Sequence, residues 1–156
     1  MFEYLTKVGT NLATTQGNAD YSSVAGRFIT QPQRGATQVK SIAIAISDTD
    51  STSQKIGDIA ALTNGIVFQK GTFANGTFTL IESPMFHKAF KKNADFLPLF
   101  DLNYIAESGL IVSTKLVADL SGAEIDLAAG EVLAVYLHDD LSGLTGLEFV
   151  ANIVEA

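Results

Sequence analysis

Between residue 37 and residue 156 the chain carries a dense run of short segments in which apolar and polar positions alternate with a period of two. In residues 37–48, Ile42, Ile44 and Ile46 share one face, and Ser41, Ala43, Ala45 and Ser47 share the other. That is the pattern of a strand with one buried side, and its second face is small rather than charged. A polar loop, Asp48-Thr-Asp-Ser-Thr-Ser, follows, and a strand is expected over residues 62–70. Asn75-Gly76 then predicts a hairpin, because a type I′ turn needs positive φ at both central residues. It joins residues 66–73 to residues 77–82, where Phe78 and Leu80 face one way. Further strands are expected over 101–106, 110–118, 124–128, 132–138 and 147–154. Ile125 and Leu127, then Leu133, Val135 and Leu137, then Leu147, Phe149, Ala151 and Ile153 point inward. Asp-Leu-Ser-Gly turns at 119–122 and 140–143 separate them.

One segment reads as helical. Ser83 can cap a helix whose first residue is Pro84. Met85, Phe86, Ala89 and Phe90 make an apolar stripe, and Lys91-Lys92-Asn93 suits its C-terminus. Without a strand–helix–strand rhythm, the fold class is all-β: a jelly-roll sandwich or barrel of about eight strands with one short helix.

Residues 1–36 break the pattern. Gly9, Gly17, Gly26 and Gly35 stand among Thr, Asn, Gln and Ser, with Phe2, Tyr4, Leu5, Leu12, Tyr21, Val24, Phe28 and Ile29 scattered between them. The expected organisation is an extended N-terminal arm over 1–36 that orders against a neighbouring surface, followed by a jelly-roll domain over 37–156. The alternative is a first strand and loops of the same domain.

Composition adds a reason to expect neighbours. Of 156 residues, 47% are hydrophobic and only 17% charged, which is a sparse charge for a small dispersed monomer. Fully buried sheet gives a similar composition, so a homo-oligomer is the expectation rather than a deduction. The net charge of −7 divides into +2 over residues 1–40 and −9 over the rest. No basic cluster of the kind that displaces counterions from phosphates is present, so no direct nucleic-acid contact is expected. The chain has no cysteine, hence no disulfide or thiolate metal site. Its first residues do not read as a secretory leader, and no apolar run approaches the roughly 20 residues of a membrane-spanning helix.

Candidate chemistry is thin. His87 falls on the expected helix beside lysines, and His138 precedes Asp139 and Asp140. A His-Asp pair is half of a catalytic triad, yet no serine stands in a Gly-x-Ser-x-Gly elbow. Asp48-x-Asp50 with Ser51 and Ser53, and Asp139-Asp140 with Ser142, offer oxygen ligands of the kind calcium takes, without the glycine and distal glutamate of an EF-hand. No catalytic residue, cofactor or metal ligand is assigned, and an enzyme is not expected.

The polar arm, about eight strands and single helix resemble the single jelly-roll architecture of viral capsid proteins. The closing stretch, Ile125-Asp-Leu-Ala-Ala-Gly-Glu-Val-Leu-Ala-Val-Tyr-Leu-His-Asp-Asp-Leu-Ser-Gly-Leu-Thr-Gly-Leu-Glu-Phe, is similar to the final strands of bacteriophage virion proteins. This resemblance implies a structural subunit located in the virion, whose partners are copies of itself and other virion proteins. Assembly contacts are then expected at Tyr4, Leu12, Tyr21, Arg27, Phe28, Ile29 and Arg34. A trimeric decoration protein on a shell built by another chain is the near alternative. A cupin-like metal enzyme or small-ligand-binding barrel is the alternative from another class.

Overall fold

The computed structural model describes residues 1–9, 14–50, 52–83, 89–107 and 111–156, with the backbone alone for 104–107 and 111–112. Its strands are β1 (Phe2–Tyr4), β2 (Thr6–Lys7), β3 (Gly26–Ile29), β4 (Thr37–Asp48), β5 (Lys55–Ile56), β6 (Ile59–Ala60), β7 (Ile66–Ala74) and β8 (Thr77–Glu82). A four-residue helix, α1 (Asn93–Phe96), precedes β9 (Asp101–Glu107), β10 (Ile111–Asp119), β11 (Ile125–Leu127), β12 (Glu131–Leu137) and β13 (Gly146–Glu155). Sheet A runs β1-β13-β4-β10-β9, with β11 continuing the flank of β4, and sheet B runs β2-β3-β12-β7-β8. Each pairing within them is antiparallel. The protein is therefore all-β, and eight of the described strands have four residues or more.

Strand β4 organises the layers. Ile42, Ile44 and Ile46 are buried against sheet B, as their spacing predicts. The phase changes near Lys40, where pairing with β13 jumps from Ser41↔Asn152 to Val39↔Ile153. An extra residue on one strand is a β-bulge, and it returns Val39 and Thr37 to the buried side. On the other flank β10 stops at the same place. The Leu120 amide donates to the Lys40 carbonyl at 2.9 Å before β11 resumes the pairing.

Aromatic rings fill the space between the sheets. Phe28 of β3 meets Phe149 of β13 at 6.1 Å between ring centroids, and Tyr21 stands edge-on to Phe28 at 6.5 Å. A second cluster joins Phe68 of β7 to Phe90, Phe96 and Phe100, with Phe90 stacked on Phe96 at 4.5 Å and 7°. The hairpin forms as the sequence predicts: Asn75 and Gly76 adopt φ of 54° and 75° between β7 and β8.

Two expectations are corrected. The helix expected from Ser83 falls mostly on residues 84–88, outside the described residues. Beyond them Phe90 forms a β-bridge with Ile66, and the described helix begins only at Asn93. Of the expected helix's apolar stripe, Phe90 packs in the Phe68 cluster, and Met85 and Phe86 lie outside the described residues. The described part of residues 1–36 is also not an arm that leaves the body. β1 adds to sheet A and β2 and β3 add to sheet B, while Leu5, Tyr21, Phe28 and Ile29 are buried in the chain's own interior. Gly26 makes room for this, since a Cβ there would sit 2.4 Å from the Tyr21 ring.

Phe28 tests the correction. Truncating a fully buried phenylalanine costs about 3–5 kcal/mol, so Phe28→Ala should lower the midpoint of chemical denaturation sharply. A residue of a detachable arm would leave that midpoint where it was.

Candidate functional site

The outer faces of the two sheets differ in kind. On sheet B, Ile29, Val132 and Ala134 form a small buried cluster covered by Val8, Phe73 and Phe78. Arg27 lies across the same face, its guanidinium 4.4 Å from the Phe78 ring centroid and 5.0 Å from that of Tyr136. Its Nε donates to Gln69 Oε1 at 3.0 Å, and burial lowers its proton affinity. Sheet B thus covers the middle of its outer face with its own side chains, while Leu80 on the edge strand β8 stays exposed.

Sheet A leaves its outer face open. β13 places Glu148, Val150 and Asn152 there, β4 places Ser41, Ala43, Ala45 and Ser47, and β10 places Lys115, Val117 and Asp119. Because the β4 residues are small, a shallow trough runs along the strand, lined by Phe2, Tyr4, Ala43, Ala45, Lys115, Glu148 and Val150. Phe2 and Tyr4 stand at its side on β1, 76% and 53% exposed. Isolated surface apolar residues are ordinary, whereas here two exposed aromatic rings are grouped beside a trough whose lining charges are Lys115 and Glu148. Glu3, between them, turns away and accepts the Gln31 amide. Glu148 accepts a hydrogen bond from Thr15 Oγ1 at 3.1 Å, and Lys115 is exposed.

The residues expected to make assembly contacts separate accordingly. Tyr4 lies on the open face and Arg34 is exposed. Tyr21, Phe28 and Ile29 are interior residues and Arg27 is stacked on sheet B. Leu12 lies outside the described residues. Burial pushes the Tyr21 hydroxyl up to about 12, and the Lys7 ammonium sits 5.3 Å from its ring centroid. Phe2, Lys115, Val117, Glu148 and Val150 were not marked as contacts by the sequence. The one local signal for the face was the Ser/Ala side of β4.

The acidic groups that drew attention in the sequence serve loops. Asp139 is buried and its carboxylate accepts the amides of Thr63, Asn64 and Gly65 at 2.8–3.2 Å. His138 makes its 3.5 Å contact with the Tyr136 hydroxyl instead, so the His-Asp pair is not assembled as a dyad. Asp20, Asp119 and Asp140 each accept the amide and hydroxyl of the serine two residues on, and that serine hydroxyl lowers the pKa of Asp20 and Asp119. Asp48 is buried and accepts the amides of Thr49 and Asp58 at 2.8 Å. Among the described residues no group of three His, Asp or Glu side chains could hold a metal ion. His87 lies outside them. No helix among them is long and apolar enough to cross a membrane.

Asp58 carries a pH signature. A hydrogen bond to Asp48, aided by desolvation and like-charge repulsion, raises its pKa. The folded state therefore binds this proton more tightly than the unfolded state. The resulting stabilisation is present below the ordinary carboxylate range and lost as pH rises through the raised value. Asp58→Asn should melt higher than the parent at neutral pH, by a few degrees at most. Thermal melts should show that gap closing on acidification, and a pH-independent gap would contradict this account.

No protein-family model matches this chain, and no curated protein matches it.

Proposed function

We propose that this chain is a structural subunit that assembles with copies of itself, as in the shell of a phage capsid built on a jelly roll, and that it resides in the virion. The observation that carries this reading is the outer face of sheet A, where the exposed rings of Phe2 and Tyr4 stand beside a trough floored by the small residues Ala43 and Ala45, whereas the middle of sheet B's outer face is covered by Arg27, Phe73 and Phe78. Burying a phenylalanine side chain gains about 1.5–3 kcal/mol relative to leaving it in water. Leaving Phe2 and Tyr4 exposed forgoes part of that gain, and a neighbouring subunit restores it.

Two further features support the reading. β4 pairs with β13 in one sheet and β7 with β12 in the other, so outer and inner pairs of the chain alternate between layers, as they do in a jelly roll. β8, at the edge of sheet B, exposes Leu80 and Ile81. An exposed apolar edge strand is a hazard for a solitary protein and a docking element for a lattice subunit.

Electron microscopy and light scattering of the purified protein test the proposal. Closed shells or sheets of protein are the expected result. Isolated trimers would favour a decoration protein, and a monomer at every concentration would overturn assembly altogether.

A further inference from the structure

Strand register on the open face of sheet A gives a pattern that is complementary to itself. β4 runs down the middle, with β13 on one side and β10 on the other. Row by row, Ser41 is flanked by Asn152 and Asp119, Ala43 by Val150 and Val117, Ala45 by Glu148 and Lys115, and Ser47 by Gly146 and Ser113. Each row thus holds an acceptor beside its polar counterpart, a valine beside a valine, a carboxylate beside an ammonium, or two small residues.

Resting on the assembly reading, we infer that this face is a two-fold interface between two copies of the chain, with the axis lying between the sheets and parallel to β4. Such an axis exchanges left and right while keeping the rows in step. It sets β10 of one copy over β13 of the other. Lys115 then faces Glu148 of the second copy, and Glu148 faces Lys115 in return. Val117 meets Val150, and Asp119 meets the Asn152 side-chain amide. An in-plane axis across the strands would instead put Lys115 over Lys115 and Glu148 over Glu148, which like-charge repulsion disfavours.

The next strands outward extend the match. β1 lies beyond β13, and β9 lies beyond β10. Tyr4 pairs with Val150 and Asp101 with Val117, so both belong to the Ala43 row. The same axis carries Tyr4 over the exposed Asp101 of the second copy, where its hydroxyl can donate to the carboxylate. The Ser and Ala side chains of β4 let two sheets approach to the usual face-to-face distance of about 10 Å, and the natural twist aligns their strands. An interface of this kind is isologous: every contact occurs twice.

Charge reversal tests the arrangement in solution. The parent protein should self-associate in sedimentation equilibrium. Lys115→Glu alone and Glu148→Lys alone each set like charges face to face and should weaken association about tenfold or more. An equimolar mixture of these two variants should associate again, because the carboxylate pair of the Lys115→Glu variant meets the ammonium pair of the Glu148→Lys variant. The double variant should likewise recover most of the parent's association. Both sites are on the outer face, and circular dichroism melts check that each variant is folded. A parent that assembles while both single variants assemble equally well would overturn this interface and leave the assembly reading intact. A parent that remains monomeric would overturn both, and two weakened variants that fail to associate when mixed would overturn the two-fold pairing.

Discussion

The period of two in a fully extended strand is the constraint on which this structure depends. β4 has neighbours along both edges, so its side chains have only two directions available. Its isoleucines take the inner direction and become the floor of the core, against which Phe149 and Leu116 also pack. Its serines and alanines take the outer direction and leave a trough. Core and open face are therefore two readings of one strand. The bulge at Lys40 matters for the same reason, because without it the inward face would end at Ile42. Lys40 itself turns to Glu124 in a 3.1 Å ion pair at the end of the adjoining turn.

Much of the fold was legible because its signals are local. Alternation located β4, β10, β12 and β13 to within a residue or two, and Asn75-Gly76 located the hairpin through its backbone requirement alone. What was not legible depends on distant partners. Residues 1–36 read as an arm because their apolar side chains are sparse and separated by turn-forming residues. Leu5 hydrogen-bonds to Phe149, and Tyr21 to the Asp139 carbonyl, over 100 residues away in sequence. No local pattern marks such pairings. Phe90, expected on a helix stripe, instead bridges to Ile66 and joins Phe68 and Phe96 in the cluster under β7, again through partners that no local pattern marks.

The candidate site divides in the same way. The small side of β4 was visible in the sequence. That Lys115 and Glu148 stand on either side of Ala45 follows only from the register of three strands, two of them more than 60 residues from the first. The conspicuous acidic turns carry less than their appearance suggests. Asp139 and Asp48 are anchor points for the loops around residues 63–65 and 57–58, and their oxygens are already occupied by backbone amides. Buried carboxylates used in this way fix loop geometry.

The pairing of β1 with β13, reinforced where the Ile153 amide donates to the Met1 carbonyl at 2.9 Å, joins the two ends of the chain. A ribosome releases Phe2 and Tyr4 long before it releases the strand that holds them. Until β13 emerges, β4 lacks one neighbour, Phe28 lacks Phe149, and the Glu148 side of the open face does not exist. Such long-range closure makes folding slow and late. It also provides a form of timing. A growing chain cannot complete the outer face of sheet A until β13 has been delivered to the free edge of β4.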